Sequence, residues 1–286
     1  MTVPSKIYTL DSPQSFSGIV ARNLYPEADI YYLNSNSELV ERVCEGERVL
    51  VAIENSVDSI VGETLRSIRE RENVFVTREI YYPVILCLGG VKSDCDAVET
   101  ERSLKVVYSY PKALNQCSRY LRHLKVNTIP TSSTTEAVRI VKELNDPSAG
   151  VIASEEAIVE SGLELLKVGV QDVKDNYTVF WELSSRKAHG ERTSLIADLE
   201  NRPGALYKFL EPFYEEDINL YAIHSWPKNS DLRRTLLEAD VNVKPALEYW
   251  FLLKVEASEE EIPFEKLEKR ASRIRSLGSY DVVDYR

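Results

Sequence analysis

Apolar positions along the chain alternate between two periods. Short unbroken runs read as buried strands, among them KIYTL (6–10), VLVAI (49–53) and GVIAS (150–154). Each is followed by a polar turn and then by apolar residues at helical spacing: IVARNLYP after DSPQSFSG, IVGETLRSI after ENSVDS, and EEAIVES after Ser154. A fourth junction, Thr131 to Thr135, is an unbroken run of hydroxyl residues ahead of a helix whose Ala137, Val138, Val141 and Leu144 share one face. Strands alternating with helices predict an α/β fold with a largely parallel sheet, and ligands off the carboxyl ends of its strands. NVFVTREIYYPVILCLGGV reads as long strands, and LKVVYSYPKALNQCSRYLRHL as a strand followed by a helix. Together these predict two α/β lobes, the one at about 74–150 inserted within the other, with a hinged cleft.

The pattern changes after the polar stretch SSRKAHGERT. The order becomes strand TSLIADL, helix PGALYKFLEPFYEE, strands NLYAIHSWPK and LEYWFLLKVEA, helix PFEKLEKRASRI and strand SLGSYDVVDY. That is a βαββαβ, ferredoxin-like arrangement. Pro203 is expected in the first helical turn. KNSDLRRTLLEADVNVKPA is longer than a hairpin needs and reads as an extra loop or short helix.

At the hydroxyl run, Ser133-x-x-Glu136 is a capping box, in which Ser133 accepts from a first-turn amide and Glu136 reaches back. One cap uses one hydroxyl, so Ser132 and Thr134 are surplus to the helix. Surplus hydroxyls beside unpaired first-turn amides make an anion site without net charge; the alternative is a solvated polar turn. Four strand-to-helix junctions dressed with Ser, Thr or Asn can converge on one anion.

Composition narrows the partners. The 286 residues carry a formal net charge of −11, so the chain repels nucleic acid and acidic membrane surfaces, and an anionic ligand must be held by local donors. No apolar run approaches the roughly 18 residues of a spanning helix. The opening MTVPSKIYTL lacks the pattern of a secretory leader, and the four cysteines show no C-x-x-C spacing, which predicts reduced thiols in a cytoplasmic protein. His123, His189 and His224 are scattered without ligand spacing, so no metal is expected.

Several motifs, in order, resemble the prephenate dehydratase family, a catalytic region followed by an ACT regulatory domain. VAIENS (51–56) matches its Glu-Asn-Ser turn, TSSTTEA its Thr-Ser-Ser-Thr stretch, YSYPKALNQC its Ser-x-Pro…Gln-Cys segment and SFSG its Thr-Phe-Ser turn. NRPGALYKFL resembles the Gly-Ala-Leu motif of the ACT domain. The resemblance implies a periplasmic-binding-protein-like catalytic domain over 1–185 and an ACT domain over 192–286. It implies decarboxylating dehydration of prephenate to phenylpyruvate in phenylalanine biosynthesis, without a cofactor, in a homodimer or homotetramer. Thr178 is implied as catalytic, and Ser15, Asn55, Ser56, Ser132, Ser133, Thr134 and Phe180 as substrate-binding. Gly204, Ala205, Leu206, His224 and Ser225 are implied to hold phenylalanine as effector. A same-chemistry variant would take arogenate, whose side chain carries an ammonium; a reading of another class is a non-catalytic sensor of an aromatic ligand.

The chain departs from the family pattern twice. Thr178-Val179-Phe180 stands where the family has Thr-Arg-Phe, which removes a guanidinium expected on a substrate carboxylate; Lys174, Arg22 and Arg78 are candidate replacements. His224-Ser225-Trp226-Pro227 stands where the ACT motif reads Glu-Ser-Arg-Pro, which predicts weakened phenylalanine feedback. Asp198 or Asp217 is the candidate for the lost carboxylate.

Overall fold

The computed structural model describes residues 4–92, 96–228 and 249–286. The expected loop or short helix after Lys228, and Cys95, lie outside these residues. The chain divides into two compact units, Met1–Ile68 with Ile80–Trp181 and Asp284–Arg286 in one, Arg69–Glu79 with Glu182–Val283 in the other.

The first unit contains two α/β lobes. Its first lobe begins β1 (Lys6–Leu10), α1 (Phe16–Leu24), β2 (Asp29–Leu33), α2 (Asn36–Cys44) and β3 (Val49–Asn55). Then come β4 (Ser59–Ile60), α3 (Gly62–Arg69) and β5 (Phe75–Pro83), of which Ile80–Pro83 belong to this unit. β1 pairs in parallel with β2 and β3, and β11 (Tyr177–Ser184) lies on the far side of β3. Val49, Val51 and Ile53 of β3 are fully buried, together with Leu39, Val40 and Leu65 of the helices. A strand covered on both faces reads as a near-continuous apolar run, which is why VLVAI is so legible.

The second lobe comprises β6 (Cys87–Gly90), α4 (Ala97–Ser103), β7 (Val106–Ser109), α5 (Pro111–Gln116), α6 (Ser118–Leu124) and β8 (Asn127–Pro130). It continues through α7 (Thr134–Leu144), β9 (Ala149–Ala153), α8 (Glu155–Ser161) and β10 (Glu164–Lys167). Its strand order is β10–β6–β9–β7–β8, antiparallel up to β9 and parallel beyond it. These strands run later in the chain than the insertion expected at about 74–150. GVIAS forms β9, which pairs with β6 and β7 rather than with the first sheet, because its apolar residues complete a core with Ala137, Val138, Val141 and Ile158.

The second unit shows the expected βαββαβ order: β12 (Arg192–Leu199), α9 (Ala205–Glu215), β13 (Leu220–Pro227), β14 (Tyr249–Val255), a short helix Phe264–Glu268 and β15 (Arg273–Asp284). The strands lie in the order β13–β14–β12–β15, with antiparallel neighbours along β13–β14–β12–β15, as a ferredoxin-like sheet requires. This unit also takes in Arg69–Glu79, of which the sequence pattern had assigned 74–79 to the inserted lobe. Leu195, Phe209, Phe213, Leu253 and Val255 form the core under the helices. Also buried is an ion pair, Lys254 Nζ to Glu79 Oε2 at 2.6 Å, with the Tyr221 hydroxyl donating to Glu79 at 3.1 Å. α9 begins at Ala205, past Pro203, because Gly204 adopts a left-handed φ of 78° that no helical residue can hold. Pro212 inside α9 has no N–H for the Lys208 carbonyl, and Arg270 Nη1 donates to that carbonyl instead at 2.9 Å.

Candidate active site

Three helix N-termini meet around one cavity of about 390 Å³ in the first unit. α1 contributes Ser15, Phe16 and Ser17, α5 contributes Lys112, Ala113 and Gln116 with Tyr110 ahead of it, and α7 contributes Thr134 with Ser132 and Ser133 ahead of it. First-turn amides lack intrahelical partners and the helix dipole is positive there, so the wall favours anions although the chain is acidic. Leu10, Val61, Val84, Leu86 and Phe180 supply apolar surface.

Each N-terminus is locally specified. Ser15 caps α1, accepting from Gly18 N at 3.1 Å and donating to Ser12 O at 2.7 Å. Gly18 is needed there, since a Cβ would lie 2.1 Å from the Ser12 carbonyl oxygen. Ser133 caps α7 by accepting from Glu136 N at 3.1 Å. Glu136 reaches one residue further back than a capping box requires, accepting from both N–H and hydroxyl of Ser132. That hydroxyl, then the Ser132 amide, holds the Glu136 carboxyl below its ordinary value. So Ser132 is not surplus to the helix, as the sequence pattern had suggested: its hydroxyl proton is spent on the cap. Thr131 Oγ1 donates to Ser133 O, and Thr135 Oγ1 shares a bond with Ser133 Oγ.

A closed ring of hydrogen bonds joins the lobes beneath the cavity. Asn55 Nδ2 donates to Asn176 Oδ1 (2.9 Å), to Tyr177 O (3.0 Å) and to Thr178 Oγ1 (3.1 Å). Asn176 Nδ2 donates to Gln116 Oε1 at 3.0 Å, and Gln116 Nε2 to Asp58 Oδ2 at 2.9 Å. Asp58 N returns to Asn55 Oδ1 at 3.0 Å, beside Val57 N at 3.0 Å. With both ends of each amide engaged, the Thr178 hydroxyl is aimed by a rigid partner.

Thr178, Ser15, Asn55, Ser132, Ser133, Thr134 and Phe180 all line the cavity. Ser56 does not; it receives Tyr177 N on its hydroxyl at 3.0 Å and so pins the start of β11. Ser154, at the junction after GVIAS, caps α8 elsewhere, accepting from Ala157 N. Val179 is buried, and strand alternation puts it on the face opposite Thr178 and Phe180, outside the cavity wall. None of the three cations considered as replacements lines the cavity: Arg22 pairs with Glu160, Lys174 donates to Gly169 O and Arg78 lies 3.9 Å from Glu182. Among the described residues the cation on this wall is Lys112, and the acids are Asp11 and Asp58. Sequence reasoning missed Lys112 and Gln116, although both lie in the YSYPKALNQC segment that had attracted notice.

In the second unit, Gly204 precedes α9, with Ala205 and Leu206 opening it, while His224 and Ser225 sit on β13 opposite Leu252 and Phe251. The His224 ring lies 5.9 Å from Trp226, which stacks on Trp250 at 4.6 Å. Asp198 is not available as a spare carboxylate: it is held by Arg69 at 3.1 Å and Lys228 at 3.4 Å. Asp217 follows the C-terminal end of α9, the opposite end from Gly204.

The family model described as prephenate dehydratase matches residues 7–188. The chain is 34% identical to a bifunctional chorismate mutase/prephenate dehydratase of Aquifex aeolicus over 81% of its own length, and spans 60% of that protein. It is 29% identical to a prephenate dehydratase of Methanocaldococcus jannaschii, covering 89% of each chain. A crystal structure of a prephenate dehydratase from Arthrobacter aurescens, in complex with L-Phe, superposes with a TM-score of 0.79 at 22% identity, over 96% of this chain and 90% of that one. At that identity the likeness establishes the fold.

Proposed function

The chain belongs to the prephenate dehydratase family, and we propose that its cavity carries out the decarboxylating dehydration of prephenate to phenylpyruvate, a step of phenylalanine biosynthesis. The observation that carries this reading is the aimed Thr178 hydroxyl. Its oxygen already accepts from Asn55 Nδ2, so its proton is left for an acceptor in the cavity. That acceptor is the ring hydroxyl of prephenate. The C–O bond to this hydroxyl breaks as it leaves in water, and the bond from the ring to its carboxylate breaks as carbon dioxide departs. The electron pair released completes the aromatic ring. One proton is taken up and no electron acceptor enters the balance. The Thr178 hydroxyl stabilises the departing oxygen.

The carboxylates fall to the first-turn amides of α1, α5 and α7, to Thr134 and to Lys112. Neutral donors suit the ring carboxylate, since a grip stronger in the ground state than in the transition state would slow its loss. The βαββαβ unit reads as an ACT domain in a cytoplasmic homodimer or homotetramer, with phenylalanine at Gly204–Leu206 and His224–Ser225. Two things support weakened feedback there: His224 supplies no carboxylate for the effector's ammonium, and Asp198 is already committed to two cations.

Incubating the purified protein with prephenate and following phenylpyruvate tests the reading. Thr178→Val should lower kcat by about 10²-fold or more, and Lys112→Gln should raise KM. No phenylpyruvate from the wild type would leave the sensor reading; full turnover in the Thr178 variant would overturn its role.

A further inference from the structure

Residues Asp284–Arg286 belong to the first unit and take no part in the chemistry above. The Arg286 guanidinium lies over two rings at once, its carbon 4.4 Å from the centroid of Tyr81 and 4.7 Å from that of Tyr177. The two rings are 5.6 Å apart, on the neighbouring strands β5 and β11. The cation is held in this pose by its own segment. Arg286 Nε donates to Asp284 Oδ1 at 2.9 Å, Nη2 to Asp284 Oδ2 at 2.5 Å, and the backbone N–H to Oδ1 at 3.0 Å. The segment is anchored in turn: Tyr285 N donates to Tyr81 O at 2.9 Å, and the Tyr285 ring rests 5.8 Å from that of Tyr82. The Tyr82 hydroxyl accepts from Asn23 of α1 at 2.8 Å.

Tyr177 is the first residue of β11 and Thr178 the second. Strand ends open most easily, yet a reacting group displaced by about 1 Å can lose 10²-fold in rate. The backbone of Tyr177 is pinned from one side by hydrogen bonds. Its N–H donates to Ser56 Oγ at 3.0 Å, and its carbonyl accepts from Ser56 N at 2.9 Å and Asn55 Nδ2 at 3.0 Å. Its ring is gripped by the cation. Strand alternation turns that ring to the face opposite the Thr178 hydroxyl, and neither Tyr177 nor Arg286 lines the cavity. Arg286 therefore reaches the reacting hydroxyl only through Tyr177.

Resting on the dehydratase reading above, we infer that Arg286 is a positioning residue for that reaction. Its cation clamps the rings of Tyr177 and Tyr81 together, which fixes the start of β11 and with it the place of the Thr178 hydroxyl. The carboxylate donors stand on α1, α5 and α7, and Arg286 makes no hydrogen bond or ring contact with them among the described residues. Loss of the clamp should therefore fall on kcat and leave KM in place.

The test follows phenylpyruvate formation from prephenate in Arg286→Ala, Arg286→Lys, Tyr177→Leu and the double variant Arg286→Ala/Tyr177→Leu. A melting curve checks that each folds, and Arg286→Gln replaces the alanine variant if that one does not. Arg286→Ala should lower kcat by about five- to thirtyfold, the scale of a cation over two rings, with KM within about twofold of wild type. Lysine keeps a cation for the rings, so Arg286→Lys should recover part of the lost rate. The double variant should be no slower than Tyr177→Leu, because the cation acts through that ring. Amide hydrogen exchange over residues 176–180 should quicken in Arg286→Ala without substrate. Wild-type kcat in Arg286→Ala, a rise in KM alone, no recovery with lysine, or additive losses in the double variant would each overturn the assignment and leave the dehydratase reading standing. No phenylpyruvate from the wild type removes the dehydratase reading instead, and unchanged exchange in Arg286→Ala overturns the clamp whatever the kinetics.

Discussion

Asn55→Asp probes the hydrogen-bond ring with almost no change of shape. The new carboxylate keeps one oxygen for the N–H groups of Val57 and Asp58, which donate to Asn55 Oδ1 at 3.0 Å each. It loses all three contacts donated by Nδ2, at 2.9, 3.0 and 3.1 Å, and sets oxygen against oxygen at Asn176 and Tyr177. At about 0.5–1.5 kcal/mol net for each hydrogen bond, stability should fall by roughly 2–3 kcal/mol, with some recovery if the Asn176 side chain reorients. The kinetic effect should be larger. The Thr178 hydroxyl would turn its proton toward the new carboxylate instead of the substrate, and a negative charge would enter an anion site. Loss of a donor of this kind lowers kcat by about 10²–10³-fold, and the added charge should raise KM. Steady-state kinetics with prephenate, paired with urea unfolding, measures both. A variant with kcat within about twofold of wild type would show that Asn55 does not orient Thr178, and would refute the reasoning that runs from this ring to catalysis.

Ser133→Ala should cost about 1 kcal/mol of stability through its lost cap while leaving KM unchanged; Thr134→Val should raise KM for prephenate with little change in melting temperature. The reverse pattern in kinetics and thermal melts would reassign the two hydroxyls. Burial pushes the Cys117 thiol up to about 12, so it stays protonated until strongly alkaline pH, and alkylation at pH 8 should label the exposed Cys44 and spare it. Because the folded state keeps a proton that an unfolded thiol releases near pH 8.5, stability from this group is full below that pH and declines above it; rapid labelling of Cys117 at pH 8 would contradict its burial. Phenylalanine should bind or inhibit weakly, and calorimetry showing tight binding with strong inhibition would show that His224 and Trp226 have cost the effector region nothing.

Local signals carried much of this protein. The apolar run of β3, the cap at Ser133 and the βαββαβ order of the C-terminal half were legible because buried strands, capped helices and strand alternation each leave a short-range period. The turns around Ser15, Asn55 and Ser133 were legible as junctions carrying local hydroxyl and amide donors, whereas Thr178 stood out only through the resemblance to the family. What sequence could not decide was which strand ends meet. That depends on strand order and crossovers, which link residues far apart along the chain: Asn55 touches Asn176 and Thr178, and Gln116 joins them from the other lobe. Only the fold drew the Tyr110–Gln116 segment into the cavity and left Ser154 out, spent the Ser132 proton on Glu136 and turned Val179 away from the site. β9 went to the second sheet for the same reason, because its run fits either lobe by period and only the core formed with α7 and α8 selects one.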